Sequence, residues 1–138
     1  MVLVIYLPDT NVFSRFLRGG EADLALRDRL LTELPFCRVS AIVLSELEYG
    51  AAKSGNPKHR QRVAQLRAIF PDVASFDADA AAFAGNVRAY LATLKPNAQP
   101  IGPYDGLLAG QALALGACVV TGNLGEFGRV PGLIVENW

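Results

Sequence analysis

Three acidic residues in this 138-residue chain each interrupt an apolar pattern. If they meet, their chemistry is that of a divalent-cation site. Asp9 ends the run VLVIYLP, Glu46 sits in AIVLSELEYG, and Asp105 in IGPYDGLLAG. Each has a modest local explanation: a helix N-cap for Asp9, the edge of a helix face for Glu46, and a first-turn charge favoured by the helix dipole for Asp105. Brought together, like charges at short range raise one another's pKa values or demand a cation between them. All-oxygen donors suit a hard ion such as Mg²⁺ or Mn²⁺, which keeps several waters and is completed by substrate phosphate. Such a site polarises a phosphoryl oxygen and activates water against phosphorus.

Rival catalytic sets are absent from the sequence. No Gly-rich phosphate loop follows the first apolar run, His59 is the only histidine, and Cys37 and Cys118 have neither metal-ligand nor redox spacing. An aspartyl-nucleophile phosphatase needs a second acid two positions after Asp9, where Asn11 stands. A receiver domain needs paired acids after the first strand, and these are also missing.

The elements that must position the acids can be read from apolar spacing. Residues 2–7 predict a short, buried strand of a parallel sheet, with Asp9 just past its carboxyl end, where open α/β sheets form their ligand crevice. A helix follows in TNVFSRFLRGG, with Val12, Phe13 and Phe16 inward and Gly19-Gly20 ending it. A second helix is expected over residues 22–33, with Leu24, Leu30 and Leu31 available for burial, before Pro35. Residues 36–39 predict a strand, and Ser40 can cap a helix over 41–53. On that helix Ile42, Val43 and Leu47 share a face with Glu46 on or beside it. Glu48 points about 200° away from Glu46 and reads as a solvated charge.

Between Tyr49 and Pro71 there is no acid, while Lys53, Lys58, Arg60, Arg62 and Arg67 all occur. Pro57 opens a helix there whose Val63, Leu66 and Phe70 turn inward, leaving a basic face that is a weak phosphate-binding candidate. His59 reads as an exposed, inert residue. Residues 73–76 predict a third strand, and Asp77 or Asp79 caps a helix running to about residue 94 with Ala80, Phe83, Val87, Tyr90, Leu91 and Leu94 as its apolar set. Residues 95–102 read as a loop. A helix then runs from Pro103 to Gly116 and aligns Asp105 with Leu108, Ala109 and Ala112; residues 117–121 and about 133–135 complete the strands. This alternation predicts a three-layer α/β/α sandwich with a mostly parallel central sheet. No repeat or linker divides residues 1–138, so one domain is expected.

The composition narrows the partners. With 51% hydrophobic residues the chain can bury a core, and its 13 basic and 13 acidic residues cancel, so any anionic partner is held by a local patch or a metal. The cysteines read as reduced core thiols, which fits a cytoplasmic setting. The N-terminal apolar run is too short for a signal peptide, and no segment approaches a membrane span, so no membrane role is expected.

The segments LPDTNVFSRFL, VSAIVLSELEYGAAKS, IGPYDGLLAGQALALGACVVTGNLGEF and RVPGLIVENW, in this order and over essentially the whole chain, resemble the VapC-type toxins of bacterial type II toxin–antitoxin systems, members of the PIN-domain nucleases. The resemblance implies a PIN-like fold with the first strand central, and Mg²⁺- or Mn²⁺-dependent endoribonuclease activity on structured RNA such as tRNA or rRNA. It also implies a homodimer and a cognate VapB-type antitoxin, the pair binding promoter DNA. Carried over, Asp9 and Asp105 are the more direct metal ligands, and Glu46 binds a second ion or holds a water. The family's fourth acid corresponds here to Asn123, with Glu126 three residues later, which leaves one or two ions open. An apolar groove near Phe13, Phe16 and Leu44 is the expected antitoxin seat. Two other readings compete: a PIN-like nucleic-acid- and antitoxin-binding module acting mainly as co-repressor, and acids that only stabilise helix ends.

Overall fold

A computed structural model describes residues 3–94 and 101–138. Its strands are all parallel where they pair. β1 (Tyr6–Pro8) pairs with β4 (Cys118–Val120), which pairs with β5 (Ile134–Glu136), while β2 (Val39–Ser40) pairs with β3 (Val73–Ala74). A single bridge from Tyr6 to Cys37 joins the two ladders, giving the order β3-β2-β1-β4-β5 and a central first strand. The junction is short for a reason visible in the sequence. Tyr6 O accepts from Arg38 N on the β2 side and Asp9 N donates to Val120 O on the β4 side, so the intervening Pro8 faces β2 without an N–H to offer.

Helices fill the connections: α1 (Thr10–Arg18), α2 (Leu24–Thr32), α3 (Ala41–Ser54), α4 (Pro57–Ile69), α5 (Ala78–Ala92), α6 (Pro103–Leu115) and the single turn α7 (Leu124–Phe127). Their ends follow capping chemistry. Asp9, Ser40, Asn56 and Asp77 accept backbone N–H bonds at four N-termini, while Gly19, Gly55 and Gly116 close three C-termini at φ near +66°. Phe13 and Phe16 meet Phe70 edge-on at 5.3 and 5.6 Å, and α5 crosses α6 where Ala84 meets Gly110. At the chain end Trp138 packs edge-on against Tyr6 at 4.8 Å beneath the Arg29 guanidinium. Cys37 and Cys118 are free and buried, and burial pushes both thiols up to about 12. Among the described residues no helix is long and apolar enough to cross a membrane.

Several expectations need correction. The first strand starts late: Leu3 and Val4 are exposed because the partner ladder begins only where Cys118 N meets Ile5 O. Val2 and most of the expected 95–102 loop lie outside the described residues. Pro35 turns Leu34–Phe36 into a 3₁₀ turn, so strand pairing begins at Val39 rather than Phe36. A 3₁₀ turn over Glu21–Asp23 precedes α2, which buries Leu26 and Leu30 and leaves Leu24 and Leu31 exposed. On α5 the inward face is Ala80, Ala84, Val87 and Leu91, with Phe83 and Tyr90 exposed, because only small side chains fit the close crossing with α6. Phe13 and Phe16 are fully buried under Phe70, so they form core and not a docking groove.

Candidate active site

Asp9 is held at the carboxyl edge of the sheet by both of its oxygens. Oδ1 accepts from Val12 N at 2.9 Å and starts α1, and Oδ2 accepts from the Thr121 hydroxyl at 2.6 Å. The carboxylate is 5% exposed, and a charge so buried persists only with such partners. Thr121 follows the last residue of β4, the parallel neighbour of β1, so the ladder register sets the two side by side. Its Oγ1 also accepts from Asn123 N at 2.9 Å, which ties the following turn to Asp9.

Glu46 comes from α3, half-buried, while Glu48 is exposed as expected. The Thr10 hydroxyl donates to Glu46 Oε1 at 2.7 Å, so the residue after Asp9 fixes the second acid. The helix itself is anchored by a buried polar network. Ser40, its N-cap, donates to Gln111 Oε1, and Gln111 Nε2 reaches Ala74 O and Ser75 O at 3.0 and 2.9 Å. Gln111 belongs to α6, the helix that opens with Asp105, so one amide links the supports of Glu46 and Asp105.

Asp105 lies in the first turn of α6, on the side of Leu108, Ala109 and Ala112. Its carboxyl is pushed up to about 7, chiefly by burial, then by the charges of Glu126, Asp9 and Glu46 and by a carboxyl-to-carboxyl hydrogen bond with Glu126. Four acids from distant parts of the chain are therefore electrostatic neighbours, with Asp105 hydrogen-bonded to Glu126. Glu126 is held in turn: Gly102 N donates to Oε1 at 2.7 Å, and Asn123 Nδ2 donates to Oε2 at 2.6 Å. Asn123 Oδ1 caps α7 at Glu126 N. The amide of Asn123 is thus spent on Glu126, and Glu126 is the fourth carboxylate beside Asp105.

The donor set fits a hard cation. It is all carboxylate and hydroxyl oxygen, it concentrates acids in a half-buried place, and it raises the carboxyl of Asp105, a shift that a bound cation would oppose. Among the described residues no three acidic, histidine or cysteine side chains surround one point at ligand range as they stand. Mg²⁺ usually takes only one or two carboxylates directly and reaches others through water, so the set suits it without a complete protein cage. The sequence candidates Asp9, Glu46 and Asp105 all face this crevice. Thr10 and Thr121 were missed, although a hydroxyl beside a strand-end acid, and another at the end of an adjacent strand, are signals that could have found them.

The PIN domain family matches residues 6–133 of the chain. The chain is 39% identical over 113 residues to a tRNA(fMet)-specific endonuclease VapC of Salmonella typhimurium, covering 82% of this chain and 83% of that protein. It is 32% identical over 135 residues to ribonuclease VapC2 of Rickettsia felis, covering 98% of each. Among solved structures, a chain of VapBC2 from Rickettsia felis bound to a DNA fragment from their promoter superposes with a TM-score of 0.86 at 29% identity, covering 98% of this chain and 99% of that one.

Proposed function

The chain belongs to the PIN-domain family, and we propose that it is the toxin of a type II toxin–antitoxin pair, an endoribonuclease that cuts structured RNA, tRNA or rRNA, with Mg²⁺ or Mn²⁺. The observation that carries the reading is the placing of Glu126, Asp9 and Glu46 about the half-buried Asp105, whose carboxyl is pushed up to about 7 first by burial and then by their charges. Such repulsion is a cost with no benefit to the fold, and it becomes useful when a cation and a phosphate occupy the crevice.

In this reading Asp9 and Asp105 would hold the ion, with Glu46 and Glu126 assisting. A Mg²⁺ or Mn²⁺ ion held there would supply Lewis-acid polarisation of the phosphoryl oxygen and a more acidic attacking water. The protein keeps the donors in place. Thr121 and Val12 N fix the two oxygens of Asp9, Thr10 fixes Glu46, and Asn123 with Gly102 N fixes Glu126. Glu46, part-exposed at the crevice edge, can orient the water and accept its proton. The protein works as a homodimer in the cytoplasm, is held by a VapB-type antitoxin, and with it binds promoter DNA.

The test is cleavage of total cellular RNA by antitoxin-free protein with Mg²⁺ or Mn²⁺, beside EDTA and Asp9→Asn. Asparagine keeps the N-cap acceptor to Val12 N, so the fold survives. Discrete metal-dependent cuts that vanish in the variant are expected. Equal cleavage by Asp9→Asn would refute the assignment.

A further inference from the structure

A groove of about 340 Å³ runs from Thr10 and Glu46 between α1, α3 and α4 to Arg18, His59 and Arg62. Its cationic end follows from helix geometry. His59 and Arg62 fall on the same stripe of α4 as the buried Val63 and Leu66, at positions three, four and seven residues on from His59. Arg62 and His59 are consequently half-buried, whereas Lys58, Arg60 and Arg67 are exposed. Arg18 and Arg62 make no ion pair with any other described residue. Arg62, half-buried without a carboxylate, is a strong site for an anion, and the exposed Arg18 lines the same groove.

The histidine is oriented too. Ser54 gives its single hydroxyl proton to Ala51 O at 3.0 Å, so at the 2.7 Å contact with Ser54 Oγ the proton belongs to His59 Nδ1. In the neutral ring Nε2 is then an acceptor, so His59 lines the groove without holding an anion.

We propose that Arg18 and Arg62 form a phosphate-binding subsite that holds the RNA strand beside the scissile position, steering it past Glu46. The inference rests on the ribonuclease reading for the identity of the strand. It differs from a diffuse basic face because only cations opening into the groove take part. An RNA strand suits the groove better than a peptide because its arginines are unpaired at one end, and at the other the cation of the proposed reaction would offset the charge of Glu46.

The test separates the two readings by measuring binding without cleavage. In the Asp9→Asn background, affinity for an end-labelled single-stranded oligoribonucleotide is measured against salt concentration. Arg18→Gln and Arg62→Gln each weaken binding roughly 3- to 30-fold, and each lowers the slope of log affinity against log salt by roughly 0.7, the loss of one phosphate contact on a single strand. Arg62→Lys, which keeps the charge, restores most of the slope. Gly50→Glu sets a carboxylate into the groove at a position where a Cβ meets nothing within 4 Å, and it also weakens binding about tenfold or more while favouring the helix. Lys58→Gln and Arg67→Gln change affinity much less. Equal losses at all four cations would overturn the subsite in favour of diffuse attraction. Intact RNA affinity with weakened capture of purified VapB-type antitoxin would overturn it in favour of a protein-docking groove. Failure of the wild-type protein to cut RNA removes the nuclease reading and leaves the binding result to stand or fall by itself.

Discussion

Replacing Asp105 by asparagine should destroy activity and stabilise the fold. The carboxyl of Asp105 rises from an ordinary 3.8 to about 7, with burial as the largest cause and Glu126, Asp9 and Glu46 adding to it. At about 1.4 kcal/mol per unit the rise corresponds to at most about 4 kcal/mol. The group is only half-buried, and solvent screening reduces this to about 1–2 kcal/mol. Loss of a first-turn negative charge offsets about 0.3–1 kcal/mol, leaving a net gain near 1 kcal/mol at alkaline pH. The sign follows from proton binding. Between about pH 4 and pH 7 the native state keeps a proton that the unfolded chain has lost, so wild-type stability falls as pH rises through that window. The asparagine variant lacks this slope. Urea unfolding in EDTA should therefore give equal midpoints near about pH 4 and a higher midpoint for Asp105→Asn above about pH 7. Adding Mg²⁺ should close the gap by stabilising only the wild type. If Asp105→Asn is instead the less stable protein above neutrality, the acid is a helix-end charge and the reasoning fails.

Other substitutions probe the supports. Thr10→Val frees Glu46 and should weaken Mn²⁺ binding, read by calorimetric titration, by roughly 10-fold or more without unfolding the protein. Thr121→Val removes the donor to Asp9 Oδ2 and the acceptor of Asn123 N, and should cut the cleavage rate about 10- to 100-fold; an unchanged rate would deny Thr121 its positioning role. Gly110→Ala places a Cβ 2.4 Å from the Ala84 backbone, so α5 and α6 must separate. Overpacking of about 1–3 kcal/mol or more outweighs the gain of about 1 kcal/mol in helix propensity, and thermal unfolding should shift down by several degrees. Asn123→Ala releases Glu126 and should alter metal affinity less than Asp9→Asn does, because Gly102 N still holds one oxygen.

The sequence by itself determined what local chemistry decides. The helices begin at Asp9, Ser40 and Pro57 and two of them end at Gly19 and Gly116 because capping and left-handed glycine geometry depend on neighbouring residues alone. Asp9, Glu46 and Asp105 stood out for the same reason, as charges against an apolar period. Where long-range packing competes with local preference, sequence reading erred. Leu24, Leu31, Phe83 and Tyr90 looked inward by spacing, but a preceding 3₁₀ turn and the Ala84–Gly110 crossing chose other faces. Only the tertiary structure could place Glu126 beside Asp105, spend the amide of Asn123 on holding it, and bring the Thr121 hydroxyl to Asp9 across 112 positions of chain. It alone separated Arg62 from its exposed neighbours. These are distances between residues remote in sequence, set by sheet register and helix crossing, and the pattern of any one segment does not contain them.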